Sequence, residues 1–198
     1  MTLQWTVVVP IKGTDDAKSR LGGDSVLRGA LARAIALDTV EAVVAAKDVA
    51  RVIVVTTEAD ASGFRELGAE VILDGKDGLN PAVVLGARSA VAGTGVALLL
   101  GDLPALAPEE LTRMLVIGSG HPRAMLADAE DVGTVLLTAL PGVAHEPAFG
   151  GASRAAHLAR GYVEMQAPDW YGIRRDVDTV EQLAAVADRV GPRTRALL

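Results

Sequence analysis

Val96-Ala97-Leu98-Leu99-Leu100-Gly101-Asp102-Leu103-Pro104 is the stretch on which the fold turns. Five unbroken apolar residues are short for a helix and suit a strand covered on both faces, as strands of parallel sheets are. Gly101 and Asp102 follow at once, so the strand ends in a loop whose first polar side chain is a carboxylate. Upstream, Thr6-Val7-Val8-Val9 is a β-branched run stopped by Pro10, a second buried strand whose carboxyl end points at Lys12. Between the two runs the pattern alternates. Helical spacing from Leu27 to Ala46 sets Leu27, Leu31, Ile35 and the Val40 to Val44 region near one face. Residues 51–57 read as a strand, Phe64 to Leu67 close a short helix that Gly68 terminates, and Val71-Ile72-Leu73 is a further strand. Pro81 suits a first helical turn, with Val83, Val84, Ala87 and Val91 on the apolar face behind it.

Beyond Asp102, a helix is expected from Pro108 to Ile117, followed by strands at 123–127 and 134–138 around an acidic, glycine-containing turn. There the strict strand-helix alternation ends. Ser153 is expected to cap a helix through Leu158, Tyr162 to Met165 to form a strand, and Thr179 to cap a final helix from Val180. No repeat, low-complexity tract or linker interrupts residues 1–198, which predicts a single α/β domain with a Rossmann-like sheet. In such sheets ligands gather outside the carboxyl ends of the parallel strands.

Composition narrows the chemistry. Half of the 198 residues are hydrophobic but only 3% are aromatic, so the core is expected from Val, Leu, Ile and Ala. A formal charge of -6 argues against a nucleic-acid partner, because such binding needs Lys and Arg to neutralise phosphates. The chain has no cysteine, which excludes disulfides, thiolate metal sites and cysteine nucleophiles and fits the reducing cytoplasm. Neither a secretory signal nor a bilayer-length apolar run is present, so no membrane association is expected.

Position at strand ends selects the candidates. Asp102 follows the most buried-looking strand; an Asx turn or a helix cap is the other use of such a residue. Asp176-Val177-Asp178-Thr179 carries carboxylates at i and i+2, which project to one side of an extended segment and can face one cation, although Asp178 or Thr179 can equally cap the next helix. Three converging carboxylates repel one another strongly without a cation, and the trio therefore suggests magnesium. Lys12, Lys18 and Arg20 follow the first strand at a spacing able to embrace a triphosphate. Gly133-Thr134 and Phe149-Gly150-Gly151-Ala152-Ser153 can receive a phosphate or carboxylate on backbone N–H groups and hydroxyls, or be ordinary turns. Asn80 is a cap or a ligand contact. His121, His145 and His157 lack metal-ligand spacing and are expected to be non-catalytic.

One ordered set of these pieces carries a resemblance: Val9-Pro10-Ile11-Lys12, Ala17-Lys18-Ser19-Arg20-Leu21, Gly78-Leu79-Asn80, Gly101-Asp102-Leu103-Pro104, Gly133-Thr134, Phe149-Gly150 with Ser153, and Arg175-Asp176-Val177-Asp178-Thr179. It resembles the phosphoenolpyruvate or 2-phospho-L-lactate guanylyltransferases of deazaflavin coenzyme F-420 biosynthesis, over nearly the whole chain. The resemblance implies a nucleotidyltransferase domain with a mostly parallel mixed sheet between helix layers, similar to the molybdopterin guanylyltransferases. It also implies that Asp102, Asp176 and Asp178 hold magnesium and that Thr134, Gly150 and Ser153 receive the phosphorylated acid. Lys12 and Lys18 match phosphate-contacting positions, with GTP as the nucleotide. Two residues depart from the family's pattern: Gly151 stands where proline is frequent, and Ala148 where arginine often precedes the Phe-Gly pair. A transferase with another acceptor, such as 3-phosphoglycerate or a pterin phosphate, or with another nucleotide, is the nearest alternative, and a non-catalytic nucleotide-binding protein the more distant one.

Overall fold

The computed structural model describes residues 2–11, 24–57, 59, 61–73, 78–169 and 171–198. Lys12, Lys18 and Arg20 lie outside the described residues. The elements follow the order β1 (Trp5–Pro10), α1 (Ser25–Ala45), β2 (Val49–Thr56), α2 (Ala61–Glu66), β3 (Glu70–Leu73), α3 (Leu79–Arg88), β4 (Gly95–Leu99), α4 (Pro108–Gly118), β5 (Arg123–Ala127), β6 (Thr134–Ala139), α5 (Ser153–Ala159), β7 (Val163–Glu164), α6 (Val180–Val186) and α7 (Pro192–Arg195).

One seven-stranded sheet runs β3-β2-β1-β4-β6-β5-β7. β1 pairs in parallel with β2 and β4, β2 with β3, and β5 with β7, whereas β6 is antiparallel to both β4 and β5. The chain thus winds outward from β1 to β3, returns to β4 on the other side of β1, and inserts one reversed strand. The sheet is mostly parallel and mixed, as expected.

The two-residue period of the strands divides the core between the faces. Val7, Val9, Ala97 and Leu99 pack with α1, α2 and α4 residues such as Val40, Val43, Phe64, Leu111 and Met114. Val8, Ile53, Val55 and Leu98 point the other way, onto Ala82 and Val83 of α3 and onto Phe149 and Tyr162. Because β1 and β4 are buried on both faces, they read as continuous apolar runs. A third cluster joins Leu31 and Ile35 of α1 to Val177, Leu183, Val186 and Val190, fastening the carboxyl-terminal segment to the first helix. The result is a three-layer arrangement of helices, sheet and helices.

Several boundaries differ from the sequence reading. Leu27 and Val44 are exposed, so the buried stripe of α1 is centred on Leu31, Ile35, Val40 and Val43. Val91 lies outside α3, which ends at Arg88, and is exposed. The helix from Val180 is not the last one. The four-residue α7 follows it, anchored where buried Asp38 of α1 accepts the N–H groups of Arg193 (3.2 Å) and Thr194 (2.8 Å). Four residues are too few to show a helical period, and beside Pro192 at its first position the distant carboxylate explains that helix. Among the described residues no helix is long and apolar enough to cross a membrane.

Candidate active site

The sheet changes winding direction between β1 and β4, and at the carboxyl ends of these strands opens a cleft of about 410 Å³. Pro10 and Ile11 continue β1 into it, Leu100, Gly101 and Asp102 continue β4, and Ala32 and Ala36 of α1 with Leu79 of α3 supply apolar walls. Because β6 runs in reverse, its first residues, Thr134 and Val135, lie at the same edge. Phe149, Gly150, Gly151 and Ser153, with Asp176 and Asp178, complete the lining.

The three carboxylates read from sequence meet here. Asp102, Asp176 and Asp178 each offer an oxygen, and these atoms all lie within 4.8 Å of one another. Val177 explains how. Its side chain is fully buried in the cluster with α1, and its N–H donates to the Asp102 carbonyl at 3.0 Å, so in this extended segment both neighbouring carboxylates turn toward the cleft. Upstream, one turn of 3-10 helix, Gly172–Arg174, is held by Glu110 of α4, whose carboxylate accepts the N–H groups of Gly172 (3.1 Å) and Ile173 (2.9 Å). Downstream, Thr179 caps α6, its hydroxyl accepting the Gln182 N–H at 3.2 Å, while Gln182 Oε1 accepts from the Asp178 and Thr179 N–H groups. Capping therefore falls to Thr179, and Asp178, whose N–H is held by Gln182, lines the cleft together with Asp176.

A second acidic group was not singled out in the sequence. Oxygens of Asp128, Glu130 and Asp176 also lie within 4.8 Å of one another. Asp128 shapes the β5–β6 turn by accepting the N–H groups of Val132 (2.9 Å) and Gly133 (2.6 Å). The acidic turn between the strands was its sequence signal, but nothing local says that it folds back beside Asp176. Burial, and then the charges of Asp102, Asp128, Asp178 and Glu130, push the Asp176 carboxyl up to about 7. Its Oδ1 is buried with no hydrogen-bond partner among the described residues. An orphaned carboxylate oxygen inside a ring of hard oxygen donors fits a divalent cation of the magnesium or manganese type.

Thr134, Gly150 and Ser153 line the same cleft. Asn80 does not line it. Its carboxamide grips a backbone peptide instead: Phe149 N–H donates to Oδ1 at 2.8 Å and Nδ2 donates to the Phe149 carbonyl at 3.0 Å. Two backbone donors anticipated for an anion are likewise committed internally, that of Gly133 to Asp128 and that of Phe149 to Asn80. Ser153 is the first residue of α5 rather than its cap, which is Ala152, and its side chain is buried. Gly150 and Gly151 carry φ of 113° and 47°, so the chain reaches the helix through left-handed backbone. Proline, locked near -65°, cannot adopt that conformation at residue 151, and this loop follows a path that only glycine makes easy. Asn80→Ala, by releasing both Phe149 groups, is expected to cost about 1–3 kcal/mol in urea unfolding.

Against this geometry, residues 5–187 match the guanylyl transferase CofC-like family. The chain belongs to that family. As a CofC-like guanylyl transferase it is 48% identical over 203 residues to a phosphoenolpyruvate guanylyltransferase of Streptomyces coelicolor, spanning 98% of this chain and 96% of that one. A nucleotide-diphospho-sugar transferase structure from Desulfovibrio desulfuricans superposes with a TM-score of 0.70 at 19% identity, covering 99% of this chain and 94% of that one. The Mycobacterium tuberculosis protein Rv0371c, solved in complex with manganese, gives 0.58 at 21% identity over 94% of this chain and 100% of that one. Both structures share the fold. The CofC-like chain is thus a nucleotidyltransferase whose carboxylates stand at the sheet edge where its fold gathers ligands.

Proposed function

We propose that the protein joins GMP from GTP to phosphoenolpyruvate, releasing pyrophosphate, with magnesium among Asp102, Asp176 and Asp178 and with 2-phospho-L-lactate as the alternative acceptor. This is a step of deazaflavin coenzyme F-420 assembly, placed in the cytoplasm. The observation that carries the reading is the meeting of that carboxylate trio with the Thr134, Gly150 and Ser153 wall in one cleft. The Streptomyces relative's name supports the acceptor.

An oxygen of the acid's phosphate attacks the α-phosphorus of GTP in line, and the bond to the pyrophosphate oxygen breaks. The attacking group is already anionic at neutral pH, so the chain must position it and neutralise charge rather than remove a proton. Among the described residues no histidine lines the cleft, which suits this demand. A bound divalent cation would stabilise the charge that builds on the phosphates. Asp102, Asp176 and Asp178 would hold it, Thr134, Gly150 and Ser153 would seat the acid, and Ala32 and Ala36 of α1 with Leu79 of α3 would exclude water along their apolar walls. Lys12, Lys18 and Arg20 are assigned to the triphosphate and Asn80 to support of the Phe149 loop.

The test is to incubate the purified protein with GTP and magnesium and, separately, phosphoenolpyruvate, 2-phospholactate, 3-phosphoglycerate or a pterin phosphate, and to identify products by mass. A GMP-phosphoenolpyruvate conjugate with stoichiometric pyrophosphate is the expected outcome. Product only with 3-phosphoglycerate or a pterin, or only with a nucleotide other than GTP, rejects the assignment.

A further inference from the structure

His157 is fully buried on α5 behind the cleft wall, and none of the steps above uses it. Its Nε2 accepts the backbone N–H of Ala148 at 2.8 Å. A peptide N–H can only donate, so Nε2 carries the lone pair, and in a neutral ring the proton then sits on Nδ1. Nδ1 is 2.9 Å from Oγ1 of Thr134. The imidazole therefore donates and the threonine hydroxyl accepts. A hydroxyl has one hydrogen, and that hydrogen cannot also point at a donor, so it is left for an acceptor elsewhere. Thr134 is buried and lines the cleft.

From this chain of bonds we infer that His157 is a positioning residue, which holds the Thr134 hydroxyl as a one-way hydrogen-bond donor to the anionic end of the phosphorylated acid. The inference rests on the function proposed above. An unconstrained threonine hydroxyl rotates and serves as donor or acceptor, whereas an anion rewards only the donor, and a hydroxyl already turned loses nothing to reorientation when the anion arrives. The ring that does the turning is itself fixed. The rings of Phe149 and Tyr162 pack against it edge-to-face, at centroid distances of 5.3 Å and 5.4 Å and interplanar angles of 71° and 68°. Burial, and then the charge of Arg160, bring the His157 pKa down to about 4, so at neutral pH no second proton arrives to disturb the pattern. The same ring ties Ala148, next to the Phe149 peptide gripped by Asn80, so one side chain sets both a hydroxyl and the start of the glycine loop.

Two measurements test this. In the wild-type protein, nitrogen NMR of the histidines, with His157 assigned by its loss in His157→Gln, is expected to find the proton on Nδ1 at pH 7; a proton on Nε2 overturns the inference. In steady-state kinetics the informative variant is His157→Met, because a glutamine amide would keep an N–H donor as well as an oxygen, whereas the thioether offers Ala148 a weak acceptor and Thr134 no donor. His157→Met is expected to raise KM for phosphoenolpyruvate roughly tenfold or more while KM for GTP stays within about twofold. Thr134→Val should do the same, and the double variant should be no worse than Thr134→Val alone, because one interaction cannot be lost twice. Parallel rises in both KM values, or additive losses in the double variant, overturn the positioning role. Should either His157 variant not fold, the wild-type tautomer still decides the polarity of the bond. A wild-type protein that makes no GMP-linked acid sinks the proposed function, a result distinct from a wrong tautomer.

Discussion

Asp176→Asn is expected to lower turnover by roughly a thousandfold or more and, in the same variant, to make the metal-free protein more stable at pH 8. The two effects have one origin. Asp176 is the carboxylate shared by both acidic groups, with one buried oxygen that has no hydrogen-bond partner among the described residues and a carboxyl pushed up to about 7, by burial first and then by its acidic neighbours. Between the ordinary aspartate value near 4 and this raised one, the folded protein keeps a proton that the unfolded chain has already released. Stability from this group is therefore complete below about pH 4, declines as pH rises toward 7, and is flat above it. Asparagine removes the titration. The expected gap is about 1–3 kcal/mol in favour of the variant at pH 8 and smaller at pH 5, read from urea unfolding in chelator. Magnesium should reverse the order, raising the melting temperature of the wild type and not that of Asp176→Asn, with protons released on binding near pH 7. A wild-type-like pH slope in the variant, or full turnover, would show that the cluster is not the metal site.

Gly172→Ala is expected to cost more than about 3 kcal/mol, seen as a large fall in the urea midpoint or as insoluble protein. A Cβ at residue 172 would fall on the carbonyl of Ala105, well inside contact distance, and the obstacle is backbone rather than a side chain that can swing aside. The segment from 172 to 178 lies against the segment from 102 to 106, fastened by Glu110 to the Gly172 and Ile173 amides and by Val177 to the Asp102 carbonyl. Lifting one segment off the other separates Asp176 and Asp178 from Asp102. Any folded Gly172→Ala protein should therefore bind magnesium more weakly than wild type. Gly29→Ala is the control: it sits in α1 with no atom of the described residues within 4 Å of the added methyl, and it should be neutral or stabilising by about 0.5–1 kcal/mol. Equal costs for the two substitutions would refute the packing argument.

Much of the architecture was legible because it is local. The buried runs at 6–9 and 96–100 announce strands covered on both faces, and the structure makes them the adjacent central strands β1 and β4. The i, i+2 carboxylates of Asp176 and Asp178 depend only on extended backbone around a buried Val177, and the Thr179 cap depends only on Gln182 three residues on. Less legible were features whose partners lie far along the chain. Asp128 and Glu130 looked like a polar turn until the sheet brought them beside Asp176. Asn80 had the credentials of a ligand contact, yet both atoms of its amide are engaged by Phe149, and Gly133 spends its N–H on Asp128. His157, set aside for want of a metal-like spacing, lies against Thr134 at hydrogen-bond distance.

By itself, then, the chain's order of residues determined which segments are strands and helices, where each ends, and which acidic, hydroxyl-bearing and glycine residues stand at those ends. Periodicity and turn chemistry act over a few residues and can be read without a partner. Only the tertiary structure decided which way β6 runs, which carboxylates share a cleft, and which of the candidate donors remain to face it. Hydrogen bonds and charge repulsion depend on distance in space, and a polar group is available to a ligand only after every neighbour that folding brings to it has taken its share.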